Sequence, residues 1–202
     1  MTKIKLCGIT REEDIDVVNE ILPDYIGFVF AKKSKRFISC DMAKKLKSKL
    51  NPTVKAVGVF VNENIENIIY PVGNNIIDLV QLHGNEDNEY INKLKNHINV
   101  PVIKACQIQS KADTAITTDA DFILLDAGAG DGKTLDESIL KDFDRDYFLA
   151  GGLSPDNIVK KIIALHPFGV DVSSGIETEG KKDMAKMRRF VKLVREVENE
   201  RN

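Results

Sequence analysis

The sequence predicts an α/β fold of eight strand–helix units, a small (β/α)8 TIM barrel forming a single domain over residues 1–202. Three observations predict it. Short apolar runs rich in Val, Ile and Phe recur eight times, several of them near-continuous, as parallel strands covered on both faces are. The last residues of successive runs are Cys7, Phe30, Phe60, His83, Gln107, Asp126, Gly152 and Ser174, with spacings of 23, 30, 23, 24, 19, 26 and 22 positions. The eight units also use the whole length. An open doubly wound sheet accepts the same alternation, so periodicity leaves both architectures open and the use of length favours the barrel.

In chain order the strand segments are 3–9, 25–30, 55–60, 77–83, 102–108, 121–126, 147–152 and 169–174. A helix-compatible stretch follows each. The clearest are 41–50, where Met42, Leu46 and Leu50 fall at i, i+4 and i+8, and 64–70, 88–96, 155–165 and 183–198. Ser154 is placed to cap the helix after strand seven, with Pro155 at the first helical position, where a missing N–H costs nothing. The 19-residue gap after strand five leaves room for a turn or so over 111–115, so the fifth helix is expected to be short or degenerate.

Lys and Arg number 29 against 31 Asp and Glu, a formal net charge of −2, with 43% hydrophobic residues. This balance supplies no general basic surface for nucleic-acid phosphates or an anionic bilayer. No apolar run approaches the roughly 18 residues that cross a membrane, and the sequence enters directly into Ile4-Lys5-Leu6-Cys7. A cytoplasmic protein is expected, neither secreted nor membrane-spanning. Cys7, Cys40 and Cys106 are odd in number and far apart, with no metal-ligand spacing, which fits a reducing compartment and supports no zinc site. Cys40 and Cys106 are expected as core or surface thiols. The sequence leaves oligomeric partners open.

Both candidate architectures bind ligands beyond the carboxyl ends of their strands, and polar residues and glycines gather there. Cys7 ends strand one as a candidate nucleophile or base, provided its thiolate is stabilised. Asp126 ends the apolar strand six as a candidate general acid, with its pKa expected to be raised in a water-poor mouth. Gly151 and Gly152 after strand seven, with Ser173, Ser174 and Gly175 after strand eight, offer backbone and hydroxyl donors for a phosphate. Arg36, in the loop after strand two, is suited to a bidentate carboxylate pair, and His83 to a ligand hydrogen bond or a structural role at the rim. The segment 128–134 resembles a P-loop, but Ala127 stands where the first glycine is required, so it reads as a mobile glycine loop over the site.

These residues belong to an ordered set: Lys5-Leu6-Cys7-Gly8-Ile9-Thr10, Gly27-Phe28-Val29-Phe30 with Ser34-Lys35-Arg36, Gly58-Val59-Phe60-Val61-Asn62, Gln81-Leu82-His83-Gly84, Ala150-Gly151-Gly152-Leu153, and Val170 through Glu177. The set resembles, along essentially the whole chain, the N-(5′-phosphoribosyl)anthranilate isomerase family of tryptophan biosynthesis. The resemblance implies a (β/α)8 barrel without a cofactor, acting on a phosphosugar by an Amadori rearrangement. By carry-over, Asp126 is the acid that opens the furanose ring and Cys7 the base that removes the C2′ proton. Arg36 then holds the anthranilate carboxylate, and the amides around Gly152 and Ser174 hold the phosphate. Where the family carries a Phe-Asp-Trp-like stretch after its glycine loop, this chain has Leu135-Asp136-Glu137 and no tryptophan anywhere. Indole-glycerol-phosphate synthase and ribulose-phosphate epimerase share the phosphate site, but the lysine acids of the first and the metal-binding histidines of the second are not at these positions. The alternative of another class is a non-catalytic sugar-phosphate-binding barrel.

Overall fold

Each of the eight predicted strands pairs in parallel with its neighbour in sequence, and the last returns to the first, closing the barrel. The computed structural model describes residues 1–128, 137–140 and 143–199. The strands are β1 (Lys3–Cys7), β2 (Tyr25–Val29), β3 (Lys55–Phe60), β4 (Leu79–Leu82), β5 (Val102–Gln107), β6 (Phe122–Asp126), β7 (Tyr147–Ala150) and β8 (Gly169–Val172). Closure decides between the two architectures that periodicity left open.

Outside the barrel lie α1 (Glu12–Ile21), α2 (Cys40–Lys49), α3 (Ile65–Gly73), α4 (Asn88–Lys95), α5 (Ile158–Leu165) and α6 (Met184–Asn199). Between them and the sheet the outward strand residues Ile4, Leu6, Ile26 and Phe28 are fully buried against helix residues such as Ile15, Leu46 and Phe190. Full burial of each such side chain contributes about 1.5–3 kcal/mol. Ser39 caps α2 by accepting from Met42 N–H, and Asp87 caps α4 by accepting from Tyr90 N–H at 2.9 Å. The position after β5 holds only a single 3-10 turn, Lys111–Thr114, in keeping with the short spacing there.

The inward residues follow the period of two along each strand and divide into a floor and a mouth. At the floor, Phe148 meets Tyr25, Phe122 and Phe168 edge-on, with ring centroids 5.7, 6.1 and 5.3 Å away. Further along the strands the inward residues become polar or small, among them Cys7, Gln81, Asp126 and Asp171. The apolar floor shuts one end, so a ligand enters only at the carboxyl end.

Several boundaries differ from the predicted ones. Strand seven stops at Ala150 rather than Gly152, because Gly151 and Gly152 adopt φ of +90° and +63°, which no extended strand continues. Strands two and eight also stop one or two residues early, while strands one and five end at the expected Cys7 and Gln107, short of the ends of their apolar runs. Strand four spans Leu79–Leu82, which places His83 in the loop. The helix after strand seven begins at Ile158 with Asn157 as its N-cap residue, not at Pro155. There Ser154 Oγ accepts from Asp156 N–H at 3.3 Å and Asn157 Oδ1 accepts from Ser154 N–H at 2.9 Å, so the predicted start signal makes a preceding turn. Helix α3 runs through Pro71 to Gly73, past its predicted end at 70. Helix α1, which apolar spacing did not single out, is anchored by a buried Asp14 that accepts from the N–H groups of Thr10 and Arg11. The glycine loop predicted over 128–134 lies, beyond Gly128, outside the described residues.

Candidate active site

A cavity of about 500 Å³ opens at the carboxyl ends of the strands. Cys7, Arg36, His83, Asp126, Gly151, Gly152, Ser173 and Ser174 all line it, although they are drawn from six separate strand ends and loops. Gly175 sits behind this wall. A Cβ there would lie 1.8 Å from the Leu153 carbonyl oxygen, so only glycine lets the turn after β8 pass against the loop after β7. Gly175→Ala is therefore expected to force the two loops apart, at a cost of about 1–3 kcal/mol. Thermal melting should show the midpoint lowered by about 2–10 °C.

Cys7 closes β1 and is 8% exposed. Burial pushes its thiol up, while the ammonium groups of Lys5 and Lys182 pull it down and the Asp171 carboxylate pushes it up again. Lys5 is wholly buried on the same face of β1, and its Nζ donates to Asp171 Oδ2 at 3.0 Å. The positive charge beneath the thiol is thus fixed by a carboxylate from β8, the strand paired with β1. The net balance keeps the resting group a thiol, with two cations in place to favour the thiolate.

Asp126 closes β6, three strands round the barrel from β1. Its Oδ2 meets His83 Nε2 at 3.2 Å and its Oδ1 accepts from Gly128 N–H at 3.1 Å. Sequence reasoning puts the pKa of this carboxyl above the ordinary range. The structure corrects that: the hydrogen bond from His83 holds it below, with burial opposing and the Gly128 amide assisting. The mouth is polar enough around Asp126 for donors to outweigh desolvation. Gly151 belongs to this geometry, since a Cβ there would lie 2.8 Å from Asp126 Oδ1.

Arg36 reaches the cavity from the loop after β2. Its Nε and Nη2 donate to Glu177 Oε1 and Oε2 at 2.6 and 2.7 Å, a bidentate pair that sets the plane of the guanidinium. Glu177 belongs to a two-stranded hairpin, β9 (Glu177–Thr178) and β10 (Lys181–Lys182), which the sequence did not signal. Lys182 Nζ donates to Glu177 Oε1 at 2.6 Å and to the Ser173 carbonyl at 3.0 Å. Burial pushes the Glu177 carboxyl up, but Arg36 and Lys182 hold it down at about 2. The hairpin therefore ties the arginine, the serine loop and the strand-one thiol into one charged network.

Five residues of the site went unassigned in the sequence: Lys5, Gln81, Asp171, Glu177 and Lys182. Three of them carried a signal, because Lys5, Gln81 and Asp171 stand two positions before Cys7, His83 and Ser173 and so share their inward face. Cys40 and Cys106 are half-buried against the core and line no part of the cavity. Among the described residues no group of three or more His, Cys, Asp or Glu is arranged to hold a metal ion, and no helix is long and apolar enough to cross a membrane.

Comparison with known proteins is consistent along the chain. The family model described as N-(5′phosphoribosyl)anthranilate (PRA) isomerase matches residues 4–193. A relative from Endomicrobium trichonymphae named N-(5′-phosphoribosyl)anthranilate isomerase is 47% identical, covering 98% of this chain and 100% of its own. The crystal structure of phosphoribosyl anthranilate isomerase from Thermotoga maritima superposes with a TM-score of 0.87 at 38% identity, covering 97% of this chain and 100% of the other. A structure of phosphoribosyl anthranilate isomerase in complex with reduced 1-(o-carboxyphenylamino)-1-deoxyribulose 5-phosphate gives a TM-score of 0.85 at 38% identity, with the same coverage.

Proposed function

The chain belongs to the N-(5′-phosphoribosyl)anthranilate isomerase family of tryptophan biosynthesis, and from that premise we propose that it converts phosphoribosylanthranilate to 1-(2-carboxyphenylamino)-1-deoxyribulose 5-phosphate with Asp126 as general acid and Cys7 as general base. The observation that carries the assignment is that the two groups line one cavity from separate strands, with glycine and serine loops on one side and Arg36 on another. The substrate has three features to match them: a phosphate, a furanose ring and an aromatic carboxylate.

The reaction moves a carbonyl from C1′ to C2′ without net oxidation. Asp126 gives a proton to the ring oxygen; the C1′–O4′ bond breaks, and the nitrogen lone pair forms the C1′=N bond of a protonated Schiff base. The Cys7 thiolate takes the C2′ proton. The electron pair released forms C1′=C2′ and neutralises the nitrogen, giving an enolamine. A proton gained at C1′ and one lost from O2′ then yield the ketone. Lys5 and Lys182 favour the thiolate at the moment it is needed. The substrate's carboxylate and phosphate, brought into the same cavity, push the Asp126 carboxyl upward and favour its acid form. Phosphate and carboxylate contacts far from C1′ and C2′ supply the binding that orients both.

The direct test is loss of anthranilate fluorescence when the protein meets phosphoribosylanthranilate generated in situ. Rapid loss supports the isomerase. Thermal stabilisation by the substrate with no loss of fluorescence supports the non-catalytic barrel instead. A second measurement concerns Arg36. Arg36→Lys keeps a cation beside Glu177 but loses the planar fork. The expected result is a KM raised by about 10- to 100-fold with kcat nearly unchanged, the signature of a contact made equally in ground and transition states. A kcat that falls while KM stays constant would remove Arg36 from substrate binding.

A further inference from the structure

Among the described residues, the buried side-chain polar atoms without a hydrogen-bond partner are Gln81 Oε1 and Asp171 Oδ1, and both residues line the cavity. Orphaned buried polar atoms are rare and expensive, so a pair confined to a reaction cavity calls for a reason. Gln81 gives one.

Gln81 is 1% exposed and stands two positions before His83 on the inward face of β4. Its Nε2 lies 3.0 Å from His83 Nδ1. An amide nitrogen only donates, so Nδ1 holds the lone pair and the hydrogen of the neutral ring sits on Nε2, where it donates to Asp126 Oδ2. That arrangement suits Asp126 as a carboxylate, the state after it has given up its proton. A protonated Oδ2 needs an acceptor at Nε2, which moves the ring hydrogen to Nδ1 and requires an oxygen where Gln81 Nε2 now stands. A half-turn of the Gln81 amide puts Oε1 there with no change in the space occupied. Each orientation pairs one amide atom and orphans the other, so neither is strongly preferred.

We propose that Gln81 is a positioning residue whose amide rotation, coupled to the tautomer of His83, switches Asp126 between its proton-bearing and its proton-free form. The proposal rests on the reading of Asp126 as the acid and adds the device that reloads it. The protons balance. Asp126 gains the hydrogen that leaves His83 Nε2 and Nδ1 gains one from solvent at the open mouth, so His83 keeps one ring hydrogen and the pair takes up a single proton, matching the one that Cys7 returns to solvent. Among the described residues the titratable group in contact with Asp126 is His83; β5 presents the neutral Gln107 and the loop after β7 the backbone of Gly151.

The test begins with the ring tautomer in wild-type protein, so its first readout does not depend on the fold of a variant. The chain holds three histidines, so ¹⁵N shifts of the His83 ring are assignable by comparison with His83→Asn. The expected result is the Nε2–H tautomer in free protein at neutral pH and the Nδ1–H tautomer when it is saturated with reduced 1-(o-carboxyphenylamino)-1-deoxyribulose 5-phosphate, whose two anionic groups favour a proton on Asp126. Gln81→Met, close in volume but without the amide, should lose this shift of tautomer. Its kcat should fall by about 10- to 100-fold with KM little changed, as when other partners that orient a catalytic group are removed. The limb of its kcat profile that belongs to Asp126 should also lie at lower pH than in wild type. A His83 ring that stays Nε2–H with and without the ligand, in a protein that Asp126→Asn inactivates, overturns the switch alone. Full activity of Asp126→Asn overturns the acid assignment on which the switch rests.

Discussion

Asparagine at position 126 is expected to lower kcat on phosphoribosylanthranilate by about 1,000-fold, in the middle of the range for loss of a general acid or base. The amide matches the carboxylate in size; its oxygen still accepts from Gly128 N–H, and its NH2 donates to His83 Nε2 once that nitrogen holds the lone pair, so the loop geometry is preserved. What it lacks is a proton to give. The furanose oxygen must then leave as an alkoxide, and ring opening limits the rate. Fluorescence loss under saturating substrate measures kcat, and binding of the reduced product analogue checks that affinity is retained. A variant within tenfold of wild type would remove Asp126 from the role of acid.

The same carboxylate ties rate to pH in a direction that can be worked out. The protein must carry a protonated Asp126 and a Cys7 thiolate together, so with the acid's pKa below the thiol's, activity rises with pH up to the pKa of Asp126, stays level between the two because the losses and gains cancel, and falls above that of Cys7. In the free protein His83 holds Asp126 below the ordinary carboxylate range and burial lifts Cys7 above the ordinary thiol range. The two are thus mispoised before substrate arrives. Bound anions lift Asp126, so the limb belonging to the acid should lie at higher pH in the kcat profile, which reports the complex, than in kcat/KM, which reports the free protein.

The barrel was legible because it is written in a local pattern: eight apolar runs at a steady spacing need no knowledge of which strand meets which. The rim residues Cys7 and Asp126 were legible for the same reason, as polar groups that end apolar strands. What escaped depends on closure. Glu177 stands 141 positions from Arg36, and Lys5 stands 166 from Asp171. Opposite charges so far apart meet only because β8 returns to β1. The Asp126 pKa was misjudged because its partner, His83, lies on β4's loop, and nothing local to Leu124-Leu125-Asp126 reveals a donor. Strand ends at Gly151-Gly152 were misplaced because apolar content outlasts extended geometry where glycine turns the chain.

Serine in place of Cys7 should also cost about 1,000-fold in kcat, but for a reason that isotopes separate from the loss at Asp126. The hydroxyl occupies the same buried place above Lys5, yet at neutral pH it holds its proton far more tightly than a thiol and cannot accept the one at C2′. Ring opening by Asp126 remains intact in this variant, so the Schiff base forms and closes again many times for each proton removed. Deuterium at C2′ should therefore slow Cys7→Ser by the full primary isotope effect. The same label should leave Asp126→Asn almost unaffected, because there the C1′–O4′ bond limits the rate before C2′ is touched. Matching isotope effects in the two variants would mean that the groups act in one step rather than two. A full effect in Asp126→Asn and none in Cys7→Ser would exchange their roles.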